Sequence, residues 1–271
     1  ERRRLLMDAF LPEALAKHEP AVRALARQYM DRFIDKGRAD LVGEMFYEIP
    51  LTIALHFLGV PDEGAEELRK FAVAHTLNTW GRPTPQEQLA VAENVGRFWQ
   101  TAQKILDDMM AKPDGQGWMY ETIRQHLRHP EIVTESYLRS MMMAILAAAH
   151  ETTSNATANA FMTLLTHRSA WDELCANPAL IPNAVEECLR VAGSIIAWRR
   201  IATADTQVGG IDIPKGGKLL IVQASANFDP RHFENPETID LYRDNSVEHL
   251  SFGYGAHQCM GKNIARMEMR V

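Results

Sequence analysis

The chain has 271 residues, 46% of them hydrophobic, which is enough to bury a substantial single core. Its 29 basic and 35 acidic residues leave a net charge of −6, which excludes a bulk electrostatic attraction to nucleic acid. Three cysteines (Cys175, Cys188, Cys259) without C-x-x-C spacing argue against a disulfide framework and fit a reducing, cytoplasmic setting. No N-terminal signal pattern is present, and the most apolar run, Met141 to Ala149, is far below the ~20 residues of a membrane span.

In chain order, "ERRRLLMDAF" opens with helical spacing at Leu5, Leu6, Ala9 and Phe10, and the chain ends in mid-pattern in "NIARMEMRV", so the expectation is a piece of a longer protein. From Pro20 to about Lys112 the pattern is helical with capped breaks: Val22, Leu25, Ala26, Tyr29 and Phe33 recur at helix period until Gly37. "GVPDEGAEELRKF" carries a turn followed by an acidic helix start, and "NTWGRPTPQEQ" predicts a loop between helices. Thr134 to Thr166 predicts one long helix, about 45 Å if unbroken at 1.5 Å per residue. "NPALIPNAVEECLRV" predicts another, with Pro182 near its start. At Gly193 the composition changes, and Ile195 to Val222 predicts a few short strands. "NFDPRHFENPE" then forms a loop rich in Pro and Asn. The class is mainly α with a small β part, arranged as one domain over residues 1–271.

The stretch "HLSFGYGAHQCMGKNIARMEM" places Cys259 after Gly253 and Gly255, before Gly261, and at the start of a helical pattern at Lys262 or Asn263. A sulfur there faces the positive end of a helix, which favours thiolate, the reactive and ligating form. The glycines let the backbone approach something flat or bulky. A phosphate loop does not fit, because five residues separate Gly255 from Gly261 and Asn263 stands where Ser or Thr belongs. A cysteine protease needs a paired His that the sequence does not indicate. A turn with an ordinary buried cysteine is the plain alternative.

Phe252, Gly255, Cys259 and Gly261 spell F-x-x-G-x-x-x-C-x-G, and the stretch resembles the haem-binding loop of the soluble bacterial cytochrome P450 monooxygenases. Three further segments match that family in the expected order. In "AAAHETTSN", Ala148, Ala149, Glu151 and Thr152 resemble the small pair, acid and threonine beside the oxygen-binding face, although Ala149 stands where the family often has Gly. An acid followed by a hydroxyl can relay protons, whereas a zinc helix is ruled out because the second His of H-E-x-x-H would fall at Ser154. A polar kink in a core helix remains open for the same residues. In "VEECLRV", Glu187 and Arg190 share a helix face. The resemblance implies a buried pair completed by an arginine whose usual place holds Thr238, with Arg243 the nearest candidate. Arg3, Arg200 and His257 match positions that hold haem propionates in relatives, and guanidinium forks suit carboxylates. Cys175 and Cys188 read as ordinary buried helix cysteines.

The resemblance covers essentially all 271 residues and implies the P450-like haem-thiolate fold, haem b as cofactor, and iron held by Cys259. Phe252, Gly253, Gly261, Ala148, Arg3, Arg200 and His257 would contact the haem, and Glu151 and Thr152 would handle protons. The implied reaction inserts one atom of O₂ into a small apolar organic substrate and releases the other as water. Ala144, Ala148, Ile195, Ile196 and Trp198 are expected to touch that substrate. Electrons would come from a ferredoxin, a flavodoxin or a fused reductase, ultimately from NAD(P)H. Lys262 and Arg266, four residues apart, could form a basic dock for that donor with Arg2 or Arg4. The alternatives are a haem-binding or sensing protein without monooxygenase turnover, or a peroxygenase.

Overall fold

The computed structural model describes residues 2–69 and 81–271. Lys70 and Phe71 of the acidic helix and Asn78 to Trp80 of the predicted loop lie outside them. The chain divides into two compact units: residues 1–154 with 263–269 and 271, and residues 155–262 with 270.

The first unit is helical. Its helices are α1 (Arg2–Leu6), α2 (Pro12–Leu15), α3 (Glu19–Met30), α4 (Glu48–Leu58), α5 (Asp62–Arg69), α6 (Pro85–Ala111), α7 (Trp118–Arg128) and α8 (Glu135–Ala149). Nine of the eleven residues of α4 are buried, as expected of a helix apolar on every side. A capping box starts α6, with the Thr84 hydroxyl accepting the Glu87 N–H and the Glu87 carboxylate accepting the Thr84 N–H. Leu138, Met142 and Leu146 line one face of α8 and are 0–1% exposed, while Ala144 and Ala148 on the opposite side are exposed.

One close crossing depends on glycine. At Gly59, φ +80°, an added Cβ would lie 2.0 Å from the Gln116 carbonyl oxygen, and at Gly117, φ +120°, one would lie 2.5 Å from the Gly59 backbone. No side chain fits either position.

The predicted long helix is interrupted. After α8, His150 takes φ −84° and ψ −82°, and α9 runs on from Glu151 to Thr166. No Gly or Pro causes this. Thr152 Oγ1 donates to the Ala148 carbonyl at 2.6 Å and Ser154 Oγ to the His150 carbonyl at 3.0 Å, so side-chain hydroxyls load the carbonyls of one turn and bend it. The buried His150 ring donates from Nε2 to the Tyr47 carbonyl at 2.7 Å, which ties the break to the start of α4.

The second unit contains the rest of α9, then α10 (Arg168–Ala176), α11 (Ile181–Ala192) and four short strands. β1 (Trp198–Ile201) pairs antiparallel with β4 (Lys218–Ile221), and β2 (Thr206–Val208) pairs with β3 (Ile211–Ile213). These strands lie within the predicted β segment, so the mainly α class with a small β part holds. The turn of helix α12 (Gln223–Ala226) opens the loops that carry Cys259. Helix α13 (Lys262–Arg270) follows them. Its residues Ile264 and Met267 pack with Val22, Tyr29, Ile49 and Ile53 in the first unit's core.

Candidate functional site

In the second unit, Phe252 to Gly261 forms an open loop. Gly253 and Gly255 take φ +71° and +78°, and an added Cβ at Gly253, Gly255 or Gly261 would meet no atom within 4 Å. Positive φ requires glycine at the first two, and the bare backbone leaves room for a flat partner. The Cys259 thiol is exposed, and its backbone N–H donates to the Phe252 carbonyl at 2.8 Å. His257 is exposed beside it. Gln258 bridges the loop, donating from Nε2 to the Gly253 carbonyl at 3.4 Å and accepting Lys262 Nζ at 2.7 Å.

Of the other cysteines, Cys188 is buried as expected, and burial first, with the Glu187 charge second, pushes its thiol up to about 12. Cys175 is exposed, against the expectation of a buried helix residue. Helix α10 buries none of its residues.

The second unit also holds a buried ionic cluster. The side chains of Glu187 and Arg190 are both 0% exposed and that of Arg243 is 6% exposed. Arg190 grips the carboxylate with two bonds of 2.8 Å, and Arg243 Nε adds bonds of 3.0 and 3.1 Å. Arg243 is therefore the third partner that the sequence left open. Thr238 contributes its carbonyl, which accepts from both arginines at 3.2 Å. Burial by itself would raise the Glu187 pKa. The hydrogen bonds from Arg190, Arg243 and the Asp240 N–H more than offset it and hold the carboxyl below its ordinary range.

In the first unit, Glu151 and Thr152 open α9 directly after the break. Both are half-buried, and burial raises the Glu151 pKa. Tyr47 nearby is pushed up to about 12, first by burial and then by the Glu151 and Glu48 charges. The Thr152 proton is held by the Ala148 carbonyl, which leaves the hydroxyl lone pairs as acceptors. Ala144 and Ala148 stand four residues apart on α8 and share a helix side, and Thr152 bonds back to the Ala148 carbonyl across the break.

Arg3 sits half-buried on α1. That helix is secured by the Trp118 indole N–H on the Leu6 carbonyl at 3.0 Å and by Phe10, whose ring lies 5.0 Å from Phe57 and 5.5 Å from Trp118. Arg2, expected in a basic dock, is exposed, donates to the Ile132 carbonyl at 2.6 Å and lies 5.1 Å over the Tyr137 ring. In the second unit, Arg200 on β1 is exposed, with Trp198 at 6.0 Å. Ile196 and Trp198 are 65% and 40% exposed, and Ile195 is half-buried.

These residues suit haem b. An exposed thiol on a glycine-bared loop is the kind of donor that ligates haem iron, and in the same unit the exposed Arg200 and His257 are groups of the kind that bind a carboxylate. Among the described residues, no group of three or more His, Cys, Asp or Glu is placed to hold a metal ion.

The Cytochrome P450 family model matches residues 1–271. The chain is 34% identical over 278 residues to Cytochrome P450 105A3 of Streptomyces carbophilus, covering all of this chain and 64% of that protein. It is 31% identical to a vitamin D3 dihydroxylase of Streptomyces griseolus, again over 64% of that protein. Among solved structures it resembles an intact type IV self-sufficient cytochrome P450 monooxygenase (TM-score 0.97, 60% identity), which matches 99% of this chain and 35% of its own. It also resembles the haem domain of a Tepidiphilus thermophilus P450 (TM-score 0.96, 56% identity), with coverages of 99% and 65%. The chain spans 64% of the length of these curated relatives. With its whole length matched, the chain belongs to the cytochrome P450 family, whose members use haem b.

Proposed function

We propose that residues 1–271 form the larger part of one haem-binding monooxygenase domain, which inserts one atom of O₂ into a small apolar organic substrate. The observation that carries this reading is Cys259: an exposed thiol on a backbone bared by three glycines, in a chain matched throughout by the P450 family. When bound through that thiolate, haem supplies the oxygen chemistry.

The chain's own residues supply position and protons. Cys259 would hold the iron, and Phe252, Gly253 and Gly261 would line the cofactor on the thiolate's loop. Arg3, Arg200 and His257 would pair with the propionates. Ala148 keeps the oxygen side open, and Ala144, Ile195, Ile196 and Trp198 offer the apolar contacts for substrate. Glu151, its pKa raised by burial, retains a proton to higher pH than a solvated carboxyl. Thr152, its own proton engaged by Ala148, accepts a hydrogen bond from the oxygen side and orders proton delivery.

The electron donor is a fused reductase drawing on NAD(P)H. This is supported by the 60% identity to the intact self-sufficient enzyme, of which the chain covers 35%. A separate ferredoxin or flavodoxin is the other source. The setting is cytoplasmic. Among the described residues no helix is long and apolar enough to cross a membrane.

The test is the carbon monoxide difference spectrum of the reduced full-length protein, followed by product analysis with NAD(P)H. A thiolate-type Soret band and substrate-dependent product support the reading. An imidazole-type band overturns it. A thiolate-type band without product leaves a haem-binding or sensing protein, and product formed only with added peroxide leaves a peroxygenase.

A further inference from the structure

We propose that His249 is a positioning residue for the Cys259 loop, and that the buried carboxylate of Glu186 sets the tautomer in which it acts. Both side chains are inaccessible, at 0% and 2% exposure, with His249 Nε2 3.3 Å from Glu186 Oε2. On the other edge of the ring, Nδ1 accepts the Ser251 backbone N–H at 3.1 Å. A backbone nitrogen can only donate, so Nδ1 carries no proton and the ring's N–H is on Nε2, aimed at the carboxylate. The second Glu186 oxygen accepts Arg270 Nη2 at 3.2 Å, which keeps that carboxylate an acceptor. A proton on Nδ1 would put two donors face to face.

The peptide held in this way belongs to the turn that feeds the loop. Gly253 N donates to the Leu250 carbonyl at 2.8 Å, and the Phe252 carbonyl accepts the Cys259 N–H at 2.8 Å. The His249 ring also lies 5.6 Å from that of Phe252. The Ser251 side chain is held independently, donating to the Leu189 carbonyl at 2.6 Å and accepting Asn227 Nδ2 at 2.9 Å. What His249 adds is the orientation of the Ser251 peptide, and through it the Phe252 carbonyl that sets the Cys259 amide. The inference rests on the haem-thiolate reading only where haem is the readout.

Two substitutions separate the edges of the ring. His249→Asn retains an acceptor near the Nδ1 position for Ser251 and gives up Glu186; His249→Gln reaches toward Glu186 and leaves the Ser251 N–H without its acceptor. In the full-length protein, hydrogen exchange at Ser251, Gly253 and Cys259 should quicken roughly tenfold in His249→Gln, the effect of one orphaned donor. It should stay near wild type in His249→Asn, with α6 unchanged in both. In the haem-loaded protein, His249→Gln should lose part of the thiolate-type carbon monoxide band and His249→Asn should restore it. Unchanged loop exchange in His249→Gln, equal acceleration in both variants, or acceleration throughout the molecule would each overturn the proposal. If the unsubstituted protein shows no thiolate-type band, the haem reading fails, and the exchange measurement still decides this one.

Discussion

Replacing Arg190 with methionine keeps much of the side-chain volume and removes the charge that faces Glu187. Arg190 donates five hydrogen bonds in a fully buried setting: two to the Glu187 carboxylate and one each to the carbonyls of Asn227, Pro236 and Thr238. Without it, Glu187 keeps Arg243 and the Asp240 N–H, and the Asn227 and Pro236 carbonyls each lose a donor. Breaking one partner out of a buried pair costs about 3–5 kcal/mol, a large share of the roughly 5–15 kcal/mol that holds a domain together. The assay is denaturant unfolding of the full-length protein, comparing Arg190→Met, Glu187→Gln and the double variant. The double variant should lose clearly less than the sum of the singles, because the second change removes a carboxylate that has already lost its bidentate partner. The acid limb follows from the sign of the Glu187 shift: a depressed folded pKa gives stability that is present above the ordinary carboxylate range and lost as pH falls through the folded value. Arg190→Met should therefore flatten the acid limb as well as lower the plateau. A loss under about 1 kcal/mol, or strict additivity, would refute the reasoning that burial makes this pair interdependent.

Cys259→Ala should abolish the thiolate-type carbon monoxide band while Cys175→Ala and Cys188→Ala keep it. Alkylation of the haem-free protein near pH 8 should label Cys175 and Cys259 and spare Cys188, whose thiol is buried and pushed up to about 12. Thr152→Ala should keep haem and substrate affinity but lower product formed per NAD(P)H consumed and raise peroxide, with on the order of 10²-fold at stake in proton transfer. An unchanged ratio would leave Thr152 as a helix residue bonded to Ala148 and nothing more. Glu151→Gln should gain stability relative to wild type as pH rises through the raised carboxyl pKa, because ionising the half-buried acid costs the folded state more than the unfolded one. A stability difference independent of pH would contradict the raised value.

Local pattern carried far in this chain where the cause of structure is itself local. Val22, Leu25, Ala26 and Tyr29 repeat at helix period because one side of α3 is buried, and the structure packs them in one cluster. The change at Gly193 announced strands because β-branched residues and glycine turns act within a few residues of themselves. Glu187 and Arg190 were recognisable as neighbours because three residues along a helix bring side chains together, and the Cys259 loop because its glycines answer to backbone geometry next to them. Tertiary structure decided what depends on residues distant in sequence. Arg243 reaches Glu187 across 56 positions, and no spacing rule spans that interval. Cys175 lies on a helix that covers no core and is exposed, whereas Cys188, on an equally plausible helix, is buried. At His150 the hydroxyls that bond back four residues are local, and the sequence already offered a polar kink there, whereas the Tyr47 carbonyl that receives the imidazole lies 103 positions away. The pairing of His249 with Glu186 joins side chains 63 positions apart. A sequence pattern reports the burial that each segment seeks, and only the folded chain settles which buried polar groups meet, because an isolated donor or charge in the interior is stable only where the rest of the chain brings its partner.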